Sequence, residues 1–167
     1  MVETDFMLNG VVSLVEDCKG YKVSFLKDIL TPRFSGYSYG DYSLTAKFKC
    51  IYHNHDIPNL NCTCGFYSFK DIAEAKKLLA YREGSIILEV EHYGDIIEHS
   101  KGYRASEQEI LSINFPKTCH RLLCRREAGG VTHRFNNWMQ VCVEHASDSF
   151  HTFRELRLLM PVEINLI

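Results

Sequence analysis

The stretch CIYHNHDIPNLNCTCG, residues 50–65, decides how the rest of this sequence is interpreted. It is rich in turn-forming residues and has no hydrophobic periodicity, so it predicts neither a helix nor a strand. It does contain the spacing Cys50-x4-His55-x6-Cys62-x-Cys64, and thiolates and imidazoles are the ligands that structural zinc prefers. We therefore predict that a metal ion holds this loop in place.

A second set of cysteine and histidine residues lies closer to the carboxyl end of the sequence. Its spacing is Cys119-x4-Cys124-x17-Cys142-x2-His145, which again gives two close pairs of ligands. The separation between the pairs is typical of zinc ribbons, and the closing C-x2-H is typical of a zinc knuckle. The sequence therefore predicts two zinc ions, one for each set of four ligands.

Other interpretations of the same residues stay open at this point. Disulfides are disfavoured, because the amino terminus shows no secretory signal and the number of cysteines, 7, is odd. Cys18 stands alone in a hydrophobic stretch and is expected to be a buried thiol. His53 could replace His55 as a ligand, and Cys50 could be an ordinary strand residue, which would leave the first set with an open position.

Length and composition limit the class of protein. A chain of 167 residues with 46% hydrophobic residues predicts one or two small domains with a sizeable core. No apolar run approaches the roughly 18–20 residues that a membrane span needs, so no membrane partner is expected. The amino terminus has neither the basic region nor the apolar core of a secretory signal, which predicts a cytoplasmic protein.

Local patterns predict several elements. Alternation of apolar and polar residues over 21–26 predicts a strand, and residues 68–81 predict the best helix, with Ser68 as its cap. Strands are expected on both sides of a turn at 93–95, and the tail from Phe150 to Met160 could be a helix.

These patterns together predict an α+β fold. We expect a small bent antiparallel sheet or partial barrel, one main helix, and two loops held by zinc. Residues 1–115 would form the α+β domain with the first zinc site. Residues 116–167 would form a zinc-knuckle segment packed on that domain.

Positive charge is concentrated in one part of a chain whose net charge is −2. Residues 101–134 carry seven Lys/Arg against three Asp/Glu, which suits an anionic partner. Arginine offers a planar donor fork for phosphate, and tyrosine offers a face on which a base can stack. The alternative for Arg104 is an ion pair with a glutamate across the hairpin. The predicted ligand-binding residues are Tyr103, Arg104, Arg121, Arg125 and Arg126.

Two segments resemble a pair of motifs found together in small uncharacterised bacterial and actinobacterial proteins. HDIPNLNCTCGFYSF, residues 55–69, resembles the pattern H-x-x-P…C-x-C-G-x-Y, and EVEHYGDIIEHSKGYRAS, residues 89–106, resembles a segment that ends in G-Y-R-A. Tyr93 stands where the pattern most often has tryptophan, and Ser68 stands where it has alanine. The carboxyl-terminal set resembles the C-x4-C…C-x2-H knuckle of short bacterial proteins. The resemblance implies no catalytic residue.

Sequence signatures of catalysis are absent. The strings H-E-x-x-H, H-x-E with P-C-x-x-C, G-x-S-x-G and the P-loop do not occur. The sequence therefore predicts a zinc-stabilised binding module rather than an enzyme, with nucleic acid or a nucleotide-like ligand as partner. One alternative is a protein–protein adaptor or inhibitor, of viral or mobile-element origin among other sources, with purely structural zinc. Another is a zinc-dependent hydrolase.

Overall fold

Antiparallel β-sheet dominates the computed structural model, which describes residues 11–12, 18–36 and 40–167. Two short helices accompany the sheet, so the predicted α+β class is confirmed in this coarse form. In chain order the elements are β1 (Val11–Val12), β2 (Lys19–Asp28), β3 (Arg33–Ser35), β4 (Asp41–Tyr42), β5 (Thr45–Lys47), β6 (Phe66–Phe69), α1 (Ile72–Leu79), β7 (Ile86–Glu98), β8 (Gly102–Phe115), β9 (Gly130–Arg134), β10 (Asn137–Val141), β11 (His151–Thr152), α2 (Phe153–Leu159) and β12 (Glu163–Leu166).

The long hairpin formed by β7 and β8 organises one half of the sheet. The two strands have 13 and 14 residues and pair from Ile87↔Asn114 to Glu98↔Tyr103. β2 pairs with the other edge of β7, and β6 pairs with β8. β2 and β6 also meet at a single position, and β12 adds to β8 as a parallel strand.

β2 also carries the second half of the sheet. Its far end pairs with β10 at Trp138↔Leu26, and β10 forms a hairpin with β9, to which β11 is added. One strand from the start of the chain is therefore shared between the long hairpin and the hairpin next to the second Cys/His set. The proposed boundary at residue 116 remains a prediction.

The core follows from the residue patterns of β2 and β7. In β2 every second residue is buried, which gives one inward face from Gly20 to Leu26. In β7 the run Ile86–Ile87–Leu88 is buried on both faces, as expected for a strand with neighbours on both sides. The main apolar cluster joins these strands to Phe115 and to Phe153 of α2.

Lys22 lies on the inward face of β2 and is only 6% exposed. Its Nζ donates a hydrogen bond of 3.0 Å to Oε1 of Gln108 and lies 4.8 Å and 5.1 Å from the ring centroids of Tyr42 and Phe66. Burial lowers the pKa of the Lys22 amine to about 7. The alternation in the sequence correctly predicts the strand, but the structure buries the face that carries Lys22 and leaves Tyr21, Val23 and Phe25 half-buried.

The helices differ from the sequence prediction in their start and length. Ser68 belongs to β6, and α1 begins at Ile72, where the Asp71 side chain accepts a hydrogen bond from the Ala73 amide. The predicted tail helix is present as α2, with Thr152 and Glu155 forming a capping box. The two helices have 8 and 7 residues, and no helix in the described part of the chain is long and apolar enough to cross a membrane.

The predicted turn at residues 93–95 is wrong. These residues lie inside β7, which continues through a register shift between Tyr93 and Ile96. Gly94 has a φ of 70°, and a Cβ there would lie 2.3 Å from Oγ of Ser106. A glycine at this position therefore produces an irregularity in a continuous strand, where the sequence pattern indicates a chain reversal.

Candidate metal centres

The first set of predicted ligands forms a compact cluster, which we call the first cluster: Cys50, His55, Cys62 and Cys64. Its four donor atoms all lie within 4.8 Å of one another. The Sγ atoms of Cys50 and Cys62 are 3.9 Å apart, and Sγ of Cys64 is 3.8 Å from Nε2 of His55. His55, and not His53, contributes the imidazole of this cluster.

Hydrogen bonds between residues close in sequence define the loop of the first cluster. The Asn59 side chain accepts from the Asn61 amide at 2.9 Å, and the Asn59 carbonyl accepts from the Cys62 amide at 3.1 Å. Nδ1 of His55 lies 2.7 Å from the Asp56 carbonyl, which can only accept. Nδ1 must therefore carry the proton, and Nε2 is left with its lone pair facing the thiols.

Arg104 attaches this loop to the sheet. Its Nη1 donates to the Cys62 carbonyl, and its guanidinium carbon lies 5.7 Å from the ring centroid of Tyr67. Arg104 is 3% exposed, so its guanidinium acts inside the protein. Its hydrogen-bond partner is a backbone carbonyl in the loop of the first cluster, in place of the glutamate considered from sequence.

Gly65 permits this close approach. Its φ is 116°, and a Cβ there would lie 2.9 Å from Cγ of Arg104 and 3.1 Å from the Ala105 carbonyl oxygen. β6 and β8 pair directly after this glycine, with Phe66 opposite Ala105. The C-x-C-G string and the G-Y-R-A string are therefore neighbours in space, which gives their joint occurrence a physical reason.

The second set of predicted ligands forms the second cluster: Cys119, Cys124, Cys142 and His145. Its donors also lie within 4.8 Å of one another. The Sγ atoms of Cys124 and Cys142 are 3.9 Å apart, and Nδ1 of His145 lies 3.4 Å and 3.3 Å from Sγ of Cys119 and of Cys142. The imidazole thus uses Nδ1 here and Nε2 in the first cluster.

Two tight backbone turns hold the second cluster at the end of the β9–β10 hairpin. The Cys124 amide donates to the Arg121 carbonyl at 2.9 Å, which closes the turn between the first two cysteines. The His145 amide donates to the Cys142 carbonyl at 3.0 Å at the start of a single 3₁₀ turn. Cys142 directly follows β10, so the sheet places the second pair of ligands.

The donor distances fit a tetrahedral ion. Zn–S bonds of about 2.3 Å and Zn–N bonds of about 2.0–2.1 Å place two sulfurs about 3.8 Å apart and a sulfur and a nitrogen about 3.6 Å apart. The observed separations of 3.3–3.9 Å match these edges. None of the seven cysteines forms a disulfide. Burial raises the pKa of the Cys64 thiol to about 11, so a cation is needed to hold it as a thiolate at neutral pH.

The predicted ligand-binding residues lie in different environments. Arg104 is buried at the first cluster, and Tyr103 is half-buried with its ring 5.2 Å from Nζ of Lys70. Arg126 forms an ion pair with the Glu144 carboxylate. Arg121 and Arg125 are exposed beside the second cluster. The structure therefore places Arg104 at the first cluster and the other three arginines in the segment of the second cluster.

One feature of the second cluster was not anticipated from sequence. Leu122 and Leu123, at the centre of the turn between Cys119 and Cys124, are 87% and 93% exposed, and Leu123 has a φ of 64°. The available signal was a pair of large apolar residues inside a four-residue spacer, where polar turn residues are usual.

The first cluster lies within one loop, residues 50–64, whereas the second joins the pair Cys119 and Cys124 to the pair Cys142 and His145. Both stand next to the ends of β-strands. Each provides four soft donors at one point, which is the arrangement required to hold a metal ion. No protein-family model, no curated protein and no solved structure matches this chain.

Proposed function

We propose that this protein is a binding module stabilised by two structural zinc ions, one in each cluster. The observation that carries this proposal is that each set brings four donors within 4.8 Å of one another, with individual S–S and S–N distances of 3.3–3.9 Å that match edges of a zinc tetrahedron. A Cys₃His donor set is soft, which favours zinc over magnesium or calcium. The two ions would hold the loops that have little secondary structure of their own.

A structural role is better supported than a catalytic one. A catalytic zinc keeps one position for water and has three protein ligands, whereas each cluster already offers four. No open position therefore remains for the water of a hydrolase. The second-sphere contacts of Arg104 and of His55 Nδ1 also resemble those that orient metal ligands.

Metal analysis of the purified protein tests the proposal. Protein prepared under reducing conditions should contain two zinc ions per chain by mass spectrometry of the metal. Cys62→Ser and Cys142→Ser should each reduce the content to one ion, because each removes a ligand from a different cluster. Cys18→Ser is the matched control, since this thiol is buried outside both clusters, and it should retain two ions. Protein that holds no zinc, or equal loss from the control, would overturn the proposal.

The exposed surface beside the second cluster is the best candidate for the contact with a partner. Arg121 and Arg125 are exposed there, and the net positive charge of residues 101–134 supports an anionic partner. Because Arg104 contacts the Cys62 carbonyl and Arg126 pairs with Glu144, we assign this proposed contact to Arg121 and Arg125.

Nucleic acid is a candidate for this anionic partner, and the observation that favours it is the exposure of the two arginines. Two phosphate contacts would give a logarithmic salt dependence of about −2, which is shallow for a nucleic-acid-binding protein. Retention of single- and double-stranded oligonucleotides over a salt series tests this candidate. Arg121→Ala with Arg125→Ala should abolish the retention, and a slope that does not change would exclude these residues.

We also propose that the chain is related to the small bacterial proteins that its motifs resemble. The proposal is supported by the contact of Gly65 with Arg104 and Ala105, because it gives both motifs one structural purpose. If this is correct, other chains with both strings should lose metal from the first site when the glycine of C-x-C-G is replaced.

A further inference from the structure

The turn between Cys119 and Cys124 exposes apolar side chains and contains a residue in a strained backbone conformation. We call residues 121–124 the leucine turn. Its centre consists of Leu122 and Leu123, which are almost fully exposed, and Leu123 adopts a left-handed conformation with a φ of 64°. Glycine or asparagine would adopt this conformation with less strain. Stability of the turn therefore does not explain leucine at this position, whereas a contact made by the side chain would.

Positive charge predominates around the leucine turn, and the nearest acidic residue in sequence is exposed Glu127, which lies opposite Thr118. The segment KTCHRLLCRR, residues 117–126, contains no acidic residue. Lys117, Arg121 and Arg125 are exposed, and Arg126 is neutralised by Glu144. Two aliphatic side chains thus project from a convex turn with exposed cations on both sides.

We propose that the leucine turn binds the surface of a lipid bilayer that contains anionic phospholipids. Leu122 and Leu123 would enter the boundary between headgroups and acyl chains, and the exposed cations would contact the anionic headgroups. A contact of this kind needs no membrane-spanning segment, so it is compatible with the absence of a long apolar run.

Other occupants fit this turn less well. Nucleic-acid bases stack on aromatic rings, and the leucine turn offers only aliphatic side chains. A stable protein interface buries about 800 Å² on each partner, which is large for a two-residue convex turn. Binding to an anionic bilayer surface increases with the apolar area that is buried and with each nearby cation. The combination of leucines and arginines therefore favours an anionic lipid surface.

The inference rests on the proposed function in one respect. A zinc ion in the second cluster would fix Cys119 and Cys124 and thereby hold the turn in its projecting form. Less conformational entropy is then lost on binding, because the side chains are already presented to the bilayer.

Sedimentation with vesicles tests the inference on the full zinc-loaded chain. The probe is a set of vesicles of phosphatidylcholine with about one-third phosphatidylserine, compared with vesicles of phosphatidylcholine alone. The protein should sediment with the anionic vesicles, and binding should weaken as salt is raised. Leu122→Ser with Leu123→Asn should weaken binding at least about tenfold, because two apolar side chains are lost from the contact. Asparagine tolerates the left-handed conformation, so this variant should retain two zinc ions.

Phe135→Asn is the matched control. Phe135 is 84% exposed and has a φ of 48°, but it lies in the turn at the opposite end of the β9–β10 hairpin. It should bind vesicles like the unchanged protein. If the protein carries two zinc ions but does not sediment with anionic vesicles, the inference is overturned and the zinc proposal stands. Equal binding by the leucine variant would also overturn it, and loss of oligonucleotide retention alone would assign the turn to nucleic acid.

Discussion

Replacing Lys22 with methionine should change how the stability of this protein depends on pH. Lys22 is the buried lysine on the inward face of β2, with Gln108 as its hydrogen-bond partner. Methionine has a similar unbranched stem and no charge, so Lys22→Met removes the ionisable group with little change in packing volume. The comparison between the two proteins therefore isolates the free energy of one buried amine.

The magnitude follows from the pKa of the amine. Burial lowers this pKa from 10.5 to about 7. Between these two values the unfolded chain binds a proton that the folded protein does not, so the free energy of unfolding rises with pH, by at most about 1.4 kcal/mol per unit. Over the whole window the ionisation of Lys22 opposes folding by about 4 kcal/mol at pH 7 and by almost nothing above the unfolded pKa. The ring faces of Tyr42 and Phe66 attract the ammonium, so this figure is an upper bound.

Urea unfolding of the zinc-loaded proteins, followed by circular dichroism between pH 7 and pH 10, measures the effect. The unchanged protein should gain up to about 4 kcal/mol relative to Lys22→Met over this range. The lost bond to Gln108 costs the variant about 1–3 kcal/mol at every pH and does not alter the slope. Lys19→Met, on an exposed position of the same strand, should show no such trend. If the difference between Lys22→Met and the unchanged protein is the same at every pH, the amine stays protonated inside the fold and the reasoning is refuted.

Three further changes test the contacts around the first cluster and α2. Gly65→Ala should destabilise the protein by about 1–3 kcal/mol and empty the first metal site, because its Cβ would press on Arg104. Gly40→Ala is the control, since Gly40 also has a positive φ but a Cβ added there would meet no atom within 4 Å. If both variants lose the same stability in thermal unfolding, the steric argument is excluded. Arg104→Met should lower the affinity of the first cluster for zinc by about 10- to 100-fold in a chelator competition. Arg125→Met, at an exposed position, should leave this affinity unchanged. Identical zinc release from both variants would contradict the role of Arg104. Thr152→Ala should cost about 1 kcal/mol in urea unfolding through loss of the cap of α2, and an unchanged midpoint would argue against this cap.

The fold was predictable where one local pattern determined one element. Alternation over residues 21–26 gave β2, and the apolar spacing of the tail gave α2. Ser68 was assigned to a helix because serine is a good cap, but tertiary pairing with β8 places it in β6. The turn expected at residues 93–95 failed for a similar reason, since Gly94 in a strand and a glycine in a turn look alike in one sequence. The pairing of β2 with β10 had no local signal at all.

The candidate site was predictable to the extent that spacing determines it. The eight Cys/His residues come together in the two sets that their spacing indicates, including His55 in place of His53. Spacing carries no information about which arginine is buried, so Arg104 was grouped with exposed arginines. Its environment depends on the pairing of β6 with β8 and on Gly65, which directly precedes β6 but lies about 40 residues before Arg104 in sequence. The exposure of Leu122 and Leu123 likewise depends on how the turn between Cys119 and Cys124 folds, which the spacing does not specify.

The position of β2 between two distant partners has a consequence for the protein during its synthesis. Leu26 pairs with Trp138, which leaves the ribosome more than a hundred residues later, a delay on the order of ten seconds. Until then the end of β2 beyond Ser24, where its pairing with β7 stops, lacks its β10 partner, and an unpaired strand edge is a template for association with other chains. His145, the last ligand of the second cluster, is released later still. A chaperone that shields this end of β2 would therefore have to remain bound until β10 has emerged.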